Sequence, residues 1–123
     1  MISGNHDQTH PMHSKALRFQ REWLASGAFE TINSFLQLKM GGRRVALSHF
    51  PYVGEGSRPG EDRFTQWRLR DEGLPLLFGH THEENVKAYY LDDHSYHVGL
   101  DGHEQKLVPE SVILEWLEGV PVV

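Results

Sequence analysis

The sequence contains no cysteine. Disulfides and thiolate-held metals are thereby excluded, and any metal bound by this chain has to be held by nitrogen and oxygen. Long apolar runs are missing too. The longest uncharged one, Leu74 to Gly79, falls far short of the roughly 20 residues that span a bilayer. The first residues lack a basic stretch followed by an apolar one, so neither a membrane span nor a signal peptide is legible. No membrane partner is expected, and the expected compartment is the cytoplasm. Nor is there an excess of positive charge. A formal net charge of −5 argues against broad attraction to nucleic acid or to an anionic surface, so nucleic acid is not indicated as a partner. A phosphate-bearing substrate would have to be drawn by a local centre.

What the chain does have is histidine, nine of them in 123 residues. With 38% hydrophobic and 24% charged residues, the composition is that of a folded globular domain. No repeat or low-complexity segment divides it, and the elements read as one continuous α/β piece.

Ser14 to Ala25 is predicted helical, with Ala16, Leu17, Phe19, Trp23 and Leu24 mostly on one stripe, Ser14 as cap and Gly27 as terminator. That helix is expected to cover a sheet. Phe35 to Met40 alternates apolar and polar residues, Gly41-Gly42 signals a two-residue turn, and Arg44 to Ser48 completes a hairpin. Val53 to Gly60, rich in glycine and proline, reads as a loop, and Asp62 to Glu72 as a helix ended by Gly73. Leu74 to Phe78 reads as a buried strand. Val86 to Leu91 and Ser95 to Leu100 flank Asp92-Asp93-His94 as a second hairpin. Pro109 opens a closing helix whose Val112, Ile113, Trp116 and Leu117 share a face.

Three short constellations carry chemistry. Gly4-Asn5-His6-Asp7 follows what reads as the end of a strand at Met1 to Ser3. Its amide oxygen suits a divalent metal, and its histidine can donate a proton. The bland alternative is a turn in which Asn5 and Asp7 bond local amides. Ser48-His49 ends an apolar strand, where α/β proteins carry their sites, and the bland alternative is a satisfied core histidine. In Gly79-His80-Thr81-His82 an extended backbone would point both rings to one side, toward one metal or two adjacent ones. His10 and His13 are expected in solvent, Arg43 and Arg44 at the solvated end of the hairpin, and His94, His97 and His103 without a chemical task. Of the arginines at 58, 63, 68 and 70, Arg63 is the candidate for a substrate phosphate, since it opens the helix after the glycine-rich loop.

In this order the three motifs resemble the second half of the calcineurin-like metallophosphoesterase signature. Leu47 to Tyr52, Phe78 to His82 and His97 to Asp101 are similar to a bacterial and phage branch of that superfamily. The resemblance covers essentially the whole chain. It implies an α/β/β/α sandwich, two sheets flanked by helices, of which residues 1–123 are the carboxyl-terminal portion. It implies that Asn5, His49 and His80 bind one divalent metal and that His82 binds a second. Mn, Fe, Co, Ni and Zn all suit such a nitrogen and oxygen set. His6 would contact the phosphate and protonate the leaving oxygen, with Asp7 orienting it. The implied reaction is hydrolysis of a phosphate mono- or diester by a metal-bound hydroxide, on a phosphorylated small molecule or nucleotide.

The resemblance also implies two earlier motifs, Asp-x-His and Gly-Asp, which cannot precede Gly4 here. The aspartate of the second bridges the metals. Neither Asp101 nor Asp92 and Asp93 in their turn offers an evident replacement. The site is therefore expected to be incomplete in this chain alone, and a complementing amino-terminal chain or self-association would complete it. Two alternatives stand beside the phosphoesterase: a non-catalytic remnant or binding module that needs a partner chain, and a hydrolase with one metal on Asn5, His49 and His80.

Overall fold

The computed structural model describes residues 1–58, 60–84 and 93–123. Its centre is a four-stranded sheet in the order β1-β2-β3-β4, built from β1 (Phe35–Met40), β2 (Arg43–Ser48), β3 (Leu76–Phe78) and β4 (Ser95–His97). The first two form the expected antiparallel hairpin, with Met40 opposite Arg43. Gly41 and Gly42 between them have φ of +54° and +79°. A two-residue turn that matches the twist of its strands requires that sign at both positions, which is why glycine occupies them. β3 runs parallel to β2, and β4 parallel to β3. The carboxyl ends of these three strands thus open at one edge of the sheet, where open α/β sheets bind ligands.

Side chains alternate between the faces of a strand. On one face Val45, Leu77 and Tyr96 pack with Ile113 and Leu117 of the closing helix. On the other, Ala46, Leu76 and Phe78 pack with Tyr52. Each Val or Leu buried this completely contributes about 1.5–3 kcal/mol. β3 is buried throughout and β2 at Val45, Ala46 and Ser48, and the residues that follow them inherit fixed positions.

Two helices flank the sheet, α1 (Ala16–Ala25) and α2 (Glu110–Glu118). The second has the expected Pro109 start and buried face. Its end is closed by Arg43, whose guanidinium donates to Leu117 O at 2.5 Å, Val120 O at 2.8 Å and Pro121 O at 2.7 Å. Carbonyls at a helix terminus lack intrahelical partners, so Arg43 is recruited from the surface role its sequence position suggested. The first helix departs from expectation. Lys15, not Ser14, is its N-cap, Ala16 is its one buried residue, and Leu17 and Leu24 are exposed. Its predicted apolar stripe is thus left partly open.

The predicted helix from Asp62 to Glu72 is also corrected: only Thr65–Trp67 forms a single 3-10 turn. Phe64 before it is left-handed and Arg68 after it is extended. Arg68 leaves the helical path because its side chain is buried and donates to Arg63 O, Pro51 O and Gly54 O. Tertiary hydrogen bonding overrides local propensity there. β4 stops at His97, and Leu100–His103 follow as another 3-10 turn. Its expected hairpin partner, Val86 to Leu91, lies outside the described residues. Among the described residues there is one sheet, with a separate parallel bridge between Ile2 and Asn33. The fold is mixed α/β. Among these residues no helix is long and apolar enough to cross a membrane.

Candidate metal centre

Three segments meet at the carboxyl edge of the sheet. His49 follows β2, and Gly79 and His80 follow β3, the two ends being tied by Gly79 N–H donating to His49 O at 2.9 Å. The third segment is the turn Gly4–Asp7, which leaves the short pairing of Met1–Ser3 with Asn33. That turn is closed on itself. Gly4 N–H donates to Asp7 Oδ2 at 2.7 Å, and the hydroxyls of Ser3 and Thr9 meet at 2.7 Å. His13 Nε2 holds Asn5 O at 2.9 Å.

The turn projects the Asn5 side chain at the strands. Asn5 Oδ1 lies 2.8 Å from His49 Nε2 and 3.3 Å from His80 Nδ1, partners 44 and 75 residues away. Of the two readings of the turn, the local one describes Asp7, and Asn5 does something else. Gly4 makes the approach possible: a Cβ there would stand 2.6 Å from His49 Nδ1.

Burial favours the neutral form of both imidazoles. Burial first, and then the neighbouring His80, push His49 down to about 4. Burial also lowers His80, overcoming the upward pull of Glu55. A metal requires a deprotonated ligand, so this state leaves lone pairs for coordination without expelling a proton. One amide oxygen and two imidazole nitrogens suit a borderline divalent ion. These residues fit one such ion. Among the described residues no three His, Asp or Glu side chains gather at a common point, and the third donor here is the amide.

His82 is not brought to this cluster. His80 and His82 have φ of +64° and +53°, so the segment is not extended and the alternation expected of the H-x-H spacing does not operate. His80 is buried against Phe50 and Phe64, whereas the His82 side chain is 75% exposed with Nδ1 3.1 Å from Asp101 Oδ2. His6 is exposed beside Asn5. Asp7 gives its Oδ2 to the Gly4 N–H, so it orients the turn that carries His6. His10, expected in solvent, is 1% exposed. It wedges under the site, its ring edge-on to Trp67 and Phe50 and its Nδ1 accepting from Met12 N–H at 3.1 Å.

The residue that sequence reasoning missed is Glu55. Its side chain is 4% exposed. Oε1 accepts from Arg63 N–H at 2.8 Å and Arg68 Nη2 at 2.7 Å, and Oε2 from Arg63 Nη2 at 3.0 Å. Oε2 also lies 2.8 Å from His80 Nε2. Burial drives the carboxyl up, but the N–H groups of Arg63 and His80 outweigh it and hold the group at about 2. Arg63, the substrate candidate, is half exposed and committed through Nε and Nη2 to Glu55. The available signal was an acid in a glycine-rich loop followed by two arginines. Nothing in that pattern names His80 as their common partner.

The class that these observations define is an α/β protein with a three-donor candidate metal centre at the carboxyl edge of its sheet. The chain is similar to the "Gene 66 protein" of Mycobacterium phage D29, 41% identical over 123 residues that cover 98% of this chain and 60% of that protein. It is also similar to the "Gene 66 protein" of Mycobacterium phage L5, 38% identical over 109 residues that cover 82% of this chain and 50% of that protein. The chain thus spans half to three-fifths of the length of these relatives. No family model matches it, and no solved structure does.

Proposed function

We propose that this chain carries part of a metal-dependent phosphoesterase of the metallophosphoesterase sandwich type. Asn5, His49 and His80 hold one divalent ion. His82 serves a second, whose remaining ligands come from chain outside residues 1–123. The observation that supports this reading is the meeting of His49 Nε2 and His80 Nδ1 on Asn5 Oδ1, at 2.8 and 3.3 Å. A bound ion supplies Lewis-acid charge to a phosphoryl oxygen and lowers the pKa of water. The chain's own residues do the rest. His6, exposed beside Asn5, touches the phosphate and gives its proton to the leaving oxygen. Asp7 holds the turn on which His6 rides. Arg63, which shares Glu55 with His80 and whose side chain is 41% exposed, offers charge to a phosphorylated small molecule or nucleotide.

The test is Mn²⁺ binding by calorimetry, together with hydrolysis of bis(p-nitrophenyl) phosphate and p-nitrophenyl phosphate. Binding that His80→Ala abolishes is the expected result. A wild-type chain that binds no divalent ion sinks the reading.

A non-catalytic module completed by a partner chain has one observation in its favour. β1 is an edge strand of the sheet with Phe35 and Leu38 exposed, and an open strand edge is a template for pairing with another chain. Ion binding without hydrolysis of either ester, in a chain that light scattering finds self-associated, favours this second reading.

A further inference from the structure

We propose that Glu55 is a positioning residue of this centre: its carboxylate fixes His80 as the tautomer that carries its proton on Nε2 and leaves Nδ1 bare beside Asn5 and His49. The consequence for metal rests on the function proposed above, whereas the tautomer does not.

An ionised carboxylate accepts hydrogen bonds and never donates them. Four N–H groups that can only donate point at Glu55, from Arg63 N, Nε and Nη2 and Arg68 Nη2, and His80 Nε2 is its fifth contact. A carboxylate has about four lone-pair sites, so no place is left for a proton of its own. The hydrogen between Oε2 and Nε2 therefore belongs to the imidazole. In its neutral form the ring has one such hydrogen, and Nδ1 is then the bare nitrogen. That is the atom 3.3 Å from Asn5 Oδ1. The opposite tautomer would set a bare Nε2 against a carboxylate oxygen at 2.8 Å, with both side chains at most 4% exposed. Two acceptors in so dry a contact repel, and more strongly than a bare Nδ1 against the neutral Asn5 Oδ1 at the longer 3.3 Å, a contact that a cation between the two atoms would relieve.

Arg63 and Arg68 give Glu55 its counter-charge, so what reaches His80 is a directional hydrogen bond. A carboxylate on the far nitrogen of a ligating histidine fixes the ring and raises the basicity of the near one. Glu55 thereby acts on the centre through His80, without being one of its three donors.

Long-range ¹H–¹⁵N correlation spectra of histidine-labelled, metal-free protein at neutral pH read the tautomer directly. In the wild type, His80 should show a protonated Nε2 and a bare Nδ1. In Glu55→Gln the amide oxygen stays with Arg63 N–H and Arg68, turning the NH₂ group toward His80. The ring should then convert to the Nδ1–H form, and Mn²⁺ affinity should fall by about 10- to 100-fold. A wild-type His80 protonated on Nδ1 overturns the proposal, as does a folded Glu55→Gln protein that keeps both tautomer and affinity. Should Glu55→Gln fail to fold, the wild-type spectrum decides alone. A bare Nδ1 in a wild-type protein that binds no Mn²⁺ upholds the positioning and refutes the metal reading instead.

Discussion

A methyl group added at Gly4 tests the geometry of the centre without altering any ligand. The new Cβ would lie 2.6 Å from His49 Nδ1 and 2.7 Å from Cε1. Ordinary contact begins near 3.4 Å, so the ring has to retreat by about 0.8 Å. Neither side yields easily. The Gly4 N–H is held by Asp7 at 2.7 Å, and Ser3 N–H by Asn33 O at 2.8 Å. The His49 ring is packed edge-on to Phe50 and His80, at 5.0 and 5.3 Å between centroids. Overpacking of this kind costs about 1–3 kcal/mol. Ligand sets tolerate displacements of only about 0.5 Å, so Mn²⁺ affinity should fall at least about tenfold. Gly79→Ala is the matched control. Its Cβ meets the same Nδ1 at 3.7 Å and His49 O at 3.8 Å, and stability should stay within about 1 kcal/mol of wild type. Urea melts and calorimetric Mn²⁺ titrations read both effects. Wild-type stability and affinity in Gly4→Ala, or equal damage from Gly79→Ala, would refute the reasoning.

The lowered pKa of His49 sets a pH dependence for the metal-free protein. Its folded value of about 4 lies below the 6.5 of a free imidazole, so the unfolded chain binds more protons between those limits and stability rises with pH across them. The gain is at most about 3 kcal/mol, complete above the upper limit; a urea midpoint that does not move across this window contradicts it. Glu55, held at about 2 against the usual 4.5, adds a loss of stability as pH falls from the higher of those values toward the lower. Arg43→Ala strips the end of α2 of its charged donors and should cost about 2 kcal/mol in urea. Arg44→Ala, at an exposed neighbour, should cost less than about 0.5 kcal/mol, and equal losses refute the capping role. His82→Ala should leave stability within about 0.5 kcal/mol and Mn²⁺ affinity unchanged; a loss as large as that of His80→Ala would place His82 in the same cluster.

Sequence pattern carried the hairpin and α2 because their determinants are local. Alternation from Phe35 to Met40, a Gly-Gly turn and a four-residue apolar face after Pro109 need no distant partner to be read. The three ligand motifs were legible as types of residue placed after apolar strands. That Asn5 reaches both His49 and His80 was beyond sequence, since it depends on β2 and β3 being neighbours and parallel. The failures have the same root. Asp62 to Glu72 has helical composition, but Arg68 buries its guanidinium and so leaves the helical path. The H-x-H spacing suggested two rings on one side, whereas the left-handed backbone of both histidines separates them. Glu55 was invisible because its partners, Arg63, Arg68 and His80, lie 8, 13 and 25 residues away.

The distribution of charge around the centre sets what an ion held there would still need. All three converging donors are neutral, so a dication among them keeps its full charge unless an anion joins it. Three acids near these segments, among the described residues, are already engaged. Asp7 holds the Gly4 N–H, Asp101 faces His82, and both oxygens of Glu55 are covered by Arg63, Arg68 and His80. Recruiting Glu55 as a ligand would pull it from Arg68, whose side chain is 4% exposed and whose other carboxylate, Asp62, stands at 4.0 Å, and breaking such a buried pair costs about 3–5 kcal/mol. Its place is therefore behind His80, where it shapes a ligand without supplying charge to the ion. The balancing anion has to come from a carboxylate on another segment or from the phosphate of a substrate, and the second of these would make the ion and the phosphate bind more tightly together than apart.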